Sequence, residues 1–118
     1  MVEESGAIDW EQMDMIADGY PPEFVEILRE FVAEIPPMLD SLVALEGTKD
    51  MEKIGRVAHQ IKGSAANFGF RGVSSAAAEI EMLAKRGSWE NGSTLIAQAQ
   101  RDFGISMDEL RDKRGIEI

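Results

Sequence analysis

His59 is the one histidine in a chain of 118 residues that contains no cysteine, and it stands in the stretch VAHQIKGSAANFG, from Val57 to Gly69. Lys62 follows three positions on, Gly63 four positions on, and Gly55 lies four positions before. An imidazole titrates near neutral pH, so a fraction with a free nitrogen lone pair is at hand, and it can form a covalent intermediate that divides one transfer into two. A lysine one helical turn away can offset the charge on the equatorial oxygens of a transferring phosphoryl group. Nucleophilic attack on phosphorus therefore suits these residue types. A single histidine without cysteine weighs against a zinc site, and thiolate chemistry is excluded.

These residues need a helix to position them. Over 51–68 the apolar residues Met51, Ile54, Ala58, Ile61, Ala65 and Phe68 recur in steps of three and four, an amphipathic pattern with Thr48 or Asp50 as cap and Gly69 as its stop. At about 100° per residue, His59 points roughly 130° away from the centre of that stripe and faces water. Gly55 and Gly63 lie one turn to either side of it. Each glycine inside a helix costs about 1 kcal/mol relative to alanine, which a surface histidine without a task would not need. The pair reads as clearance for a bulky partner. Ser64 lies about 140° from His59, which disfavours a Ser–His pair; its hydroxyl is expected to bond back to the Gln60 carbonyl or to a neighbouring helix.

Around this helix, Ile8-Asp9-Trp10 with Gln12 and Met13 reads as a capped, stapled start to a short helix that stops at Gly19. Tyr20-Pro21-Pro22 opens a second pattern with apolar positions 24, 27, 31, 35, 38, 42 and 45. Pro36-Pro37 within it predicts a kink near Glu34–Ile35, or else a break into two helices. FGFRG forms the turn after the His59 helix. Val73, Ala76, Ile80 and Leu83 mark a helix ending at Gly87, and Ile96, Ala99, Phe103, Met107 and Leu110 mark one that frays near Lys113. There is no strand pattern. The expectation is an all-α fold, an antiparallel up-down four-helix bundle with a short additional N-terminal helix, over residues 8–115 after a disordered segment 1–7.

The net charge of −10 argues against nucleic acid or an anionic membrane as partner. Residues 1–48 hold twelve acidic and one basic residue, whereas 49–86 hold seven basic and four acidic, so an anion is tolerated where His59 lies. With no membrane span or signal peptide, the expectation is a cytoplasmic monomer. A Gly-rich phosphate loop and kinase signatures are absent, so phosphate must come from and go to other proteins.

His59-Gln60-Ile61-Lys62-Gly63-Ser64-Ala65-Ala66-Asn67-Phe68-Gly69 resembles the motif of histidine phosphotransfer (HPt) domains of two-component phosphorelays, and the likeness extends over roughly 8–115. It implies a phosphocarrier rather than an enzyme, whose His59 takes a phosphoryl group at Nε2 from one receiver-domain aspartate and passes it to another. The partners it implies are receiver domains of response regulators and hybrid histidine kinases, with magnesium on the receiver and no cofactor here. Lys62 and Lys85 would lie beside the phosphate, while Gly55, Gly63 and Ala66 would face the docked receiver. Ser64 and Gly69 belong to the structural motif. Glu81 sits where some members carry glutamine; a carboxylate there would orient the ring through Nδ1–H and repel the phosphate. Two other readings are the N-terminal phosphotransfer domain of a chemotaxis-type histidine kinase, often with a pair like Phe68-Gly69, and a helical interaction module without chemistry.

Overall fold

The computed structural model describes residues 5–118. Five helices follow in order: α1 (Trp10–Ala17), α2 (Pro22–Glu46), α3 (Met51–Asn67), α4 (Arg71–Arg86) and α5 (Gly92–Arg114). The four long ones close a bundle in which α3 packs on α2 and α4, and α5 packs on α4 and α2. Among the described residues none forms a strand, and no helix is long and apolar enough to cross a membrane.

Local chemistry accounts for the helix ends. Asp9 Oδ1 accepts from the Gln12 amide, and the staple residues Ile8 and Met13 are both buried. Asp50 caps α3 through the Lys53 amide at 3.2 Å. Gly69 and Gly87 have φ of +71° and +66°, the left-handed conformation that lets a chain leave a helix. A Cβ at Gly69 would also stand 3.0 Å from the Asp9 carbonyl oxygen, and the Asp9 amide donates to the Gly69 carbonyl at 2.7 Å. That glycine thus stops α3 and seats the entry to α1.

Three expectations and one alternative need correction. Residues 5–7 do not belong to a disordered start: the Ala7 carbonyl accepts from the Gly72 amide at 3.0 Å and the Gly6 carbonyl from Arg71 Nε at 3.2 Å, tying them to the start of α4. Residues 1–4 lie outside the described residues. Helix α2 runs unbroken through Pro36-Pro37, which excludes the alternative of two helices; both rings face solvent, while Ile35 and Leu39 stay buried on either side. Ile27 is exposed, and Leu28 takes the core position next to it, so the buried stripe runs through 28, 31, 32, 35, 39 and 42. Finally, only residues 68–70 separate α3 from α4: Arg71 and Gly72 are already helical, and Phe70 is fully buried, edge-on to Phe31 at 4.9 Å between centroids.

Candidate functional site

Ile54, Ala58, Ile61 and Ala65 are fully buried along one stripe of α3, which turns His59 outward. Its side chain is 66% exposed, yet Nδ1 is held 2.9 Å from Oε2 of Glu81 on α4. Glu81 is itself buried, flanked on its helix by Ala77, Ile80 and Ala84. Its other oxygen, Oε1, accepts from Lys62 Nζ at 2.6 Å, and Lys85 Nζ lies 3.5 Å from Oε2. One carboxylate thus gathers an imidazole and two ammonium groups from two helices.

The hydrogen bond from the Lys62 ammonium holds the Glu81 carboxyl well below the usual range, at about 2, against the opposing effect of burial; the bond from His59 and the charges of Lys62 and Lys85 act in the same direction. A carboxylate ionised at all working pH values accepts hydrogen bonds and donates none. Neutral His59 must therefore carry its proton on Nδ1, and the lone pair is on Nε2. No partner for Nε2 is found among the described residues. The arrangement is an exposed nucleophilic nitrogen on a ring oriented from behind, with two cations close by.

The two glycines differ. A Cβ at Gly63 would meet nothing within 4 Å, so that side of the ring is open. A Cβ at Gly55 would lie 3.5 Å from the Ala84 Cβ, an ordinary contact, so Gly55 sits on the α3–α4 seam rather than in open space. An open groove of about 590 Å³ runs along this seam, lined by Gly55, His59, Glu81, Ala84 and Lys85 among others. Ala66 is exposed two turns beyond His59, with its carbonyl accepting from Gln12 Nε2 at 2.7 Å, which brings α1 to the edge of the same face.

Ser64 departs from expectation. Its half-exposed hydroxyl makes no hydrogen bond among the described residues, since water can serve it there. The interhelical bond comes from the other side, with Ser74 Oγ of α4 donating to the Lys62 carbonyl at 3.0 Å. Ser74 is not marked by type or spacing, and Gln12 is marked only as part of the capped start of α1, because the partners they bond here are 12 and 54 residues away.

The Hpt domain family model matches residues 26–113, and the chain belongs to that family. Phosphorelay intermediate protein YPD1 of Candida albicans is 23% identical over 115 residues, covering 92% of this chain; the chain spans 61% of that relative's length. The crystal structure of histidine-containing phosphotransfer protein B (HptB) from Pseudomonas aeruginosa PAO1 superposes with a TM-score of 0.85 at 25% identity, covering 95% of this chain and 97% of that one.

Proposed function

We propose that this chain is a histidine phosphotransfer carrier of a two-component phosphorelay, accepting a phosphoryl group on His59 Nε2 from one receiver-domain aspartate and delivering it to another. The observation that carries the reading is the exposed imidazole whose Nδ1 is bound to buried Glu81 while Nε2 has no partner among the described residues. The family model and the names of the two relatives support the same reading.

In the transfer, the Nε2 lone pair attacks phosphorus as the bond to the aspartyl oxygen breaks, and the group then leaves by the reverse step. Lys62 and Lys85, both held beside the ring through Glu81, are the cations that meet its oxygens. Gly63 leaves space for the donor loop, and the receiver covers the face from the groove at Gly55 to Ala66. Magnesium stays on the receiver, and the carrier has neither an ATP site nor an activity of its own. It works as a monomer in the cytoplasm.

The test is incubation with a phosphorylated receiver domain. Acid-labile, alkali-stable phosphate should appear on the wild type and be absent from His59→Gln. No label on the wild type, or equal label on the variant, sinks the carrier reading.

A further inference from the structure

Building on the carrier reading, we propose that Glu81 is a positioning residue whose charge keeps the Nδ1 proton on phosphorylated His59, so that the ring leaves phosphorus as neutral imidazole. When Nε2 attacks, the N–P bond forms and the P–O electron pair departs with the aspartate. The ring still holds its hydrogen on Nδ1, so it becomes a cation. On discharge an incoming carboxylate oxygen forms the new P–O bond, the N–P pair returns to Nε2, and the ring is neutral again. Were the Nδ1 proton lost between these steps, the same cleavage would expel imidazolate, a much poorer leaving group. Retention of that one proton therefore governs whether the carrier can be unloaded.

The geometry addresses that proton. Oε2 of Glu81 lies 2.9 Å from Nδ1, and the carboxylate is buried beneath the ring, so a fixed negative charge stands in hydrogen-bond contact with the proton that must be kept. The groove around the pair is lined from α3 and α4 alone. From α4 the charged groups are Glu81 and Lys85; from α3 they are Lys62, with Glu52 and Arg56 paired to each other at 3.0 Å. Lys62 and Lys85 oppose a positive ring before loading. A bound phosphoryl group supplies these two ammonium groups with a second anion, which leaves more of the carboxylate's field to the ring. A neutral amide at position 81 would accept the same Nδ1–H and hold the same tautomer, but it would add no charge.

The protein is loaded with phosphoramidate, a small phosphoryl donor that needs no receiver, and the phosphohistidine ring is titrated by ³¹P and ¹⁵N NMR. In Glu81→Gln the unloaded ring should keep hydrogen on Nδ1, while the loaded ring loses its proton at least one pH unit lower than in the wild type. Above that pH, discharge to a receiver should fall about tenfold for each unit of the difference. Equal midpoints in the two proteins overturn the proposal. Should Glu81→Gln not fold, the wild-type midpoint is compared with that of the same phosphohistidine in a short peptide spanning 57–63. A midpoint at least one unit higher in the protein supports the proposal, and an equal one overturns it. A receiver that takes phosphate from neither protein counts against the carrier reading, while the ring titration still decides this one.

Discussion

Glu81 and Glu109 are both buried carboxylates that accept a hydrogen bond from a ring N–H, yet they do opposite things in this bundle. Glu109, on α5, receives the indole Nε1–H of Trp10 at 2.9 Å together with the amide and hydroxyl of Ser5. Trp10 is buried, with the Arg114 guanidinium stacked 4.4 Å from its centroid, and Arg114 in turn pairs with Asp14, which also accepts from the Tyr20 hydroxyl. That cluster fastens α1 and Ser5 to the end of α5. Around Glu81 the ring is exposed and titratable, its second nitrogen has no partner among the described residues, and the neighbouring cations have somewhere else to go. Burial of an acid does not by itself mark chemistry; what marks it is a partner that can react.

The largest effect is expected from acid at the Glu81 site. Glu81 has its carboxyl lowered from 4.5 to about 2, so it stabilises the fold above pH 4.5, and that contribution, on the order of 3 kcal/mol, is lost as pH falls through 4.5 toward 2. Denaturant midpoints across this window should fall more steeply for the wild type than for Glu81→Gln; parallel curves would break the assignment.

Glu109→Ala should cost about 2 kcal/mol, because it leaves the buried Trp10 indole without its acceptor. Phosphoryl transfer per folded molecule should be unchanged, whereas slowed transfer would show that the α1 clamp reaches the His59 site. Gly63→Leu is expected to do the reverse, slowing transfer by roughly tenfold with the melting temperature retained, since the side chain projects into open space where a donor must approach. Unchanged transfer would show that clearance is not that glycine's purpose. The smallest effect is expected at Gly55→Ala, where the methyl makes an ordinary contact with Ala84 and the helix gains up to about 1 kcal/mol. A loss of stability would mean that the α3–α4 seam is tighter than 3.5 Å suggests.

The outward direction of His59 and the core of α3 were legible because helical periodicity is local: Ile54, Ala58, Ile61 and Ala65 are all fully buried. Caps and stops at Asp9, Asp50, Gly69 and Gly87 were legible for the same reason. Composition alone marks residues 5–7 as loose, while the hydrogen bonds that order them run to Arg71 and Gly72 of α4 and, from Ser5, to Glu109 of α5. Ile27 was misread because either it or Leu28 satisfies a three-or-four step, and only the packing of α2 against its neighbours chooses.

The sequence by itself determined that the fold is all-helical, which stretches form the helices, and that one histidine faces water beside a lysine, since these depend on residues within a turn or two of each other; it left open whether Pro36-Pro37 splits α2. Only the tertiary structure decided what Glu81 does. His59 and Lys62 are on another helix, 22 and 19 residues away, and the low value of its carboxyl comes first from the Lys62 ammonium that the α3–α4 packing brings to it, with Lys85 of its own helix adding to it. The tautomer of His59, and hence which nitrogen can react, follows from that contact and from no spacing in the chain.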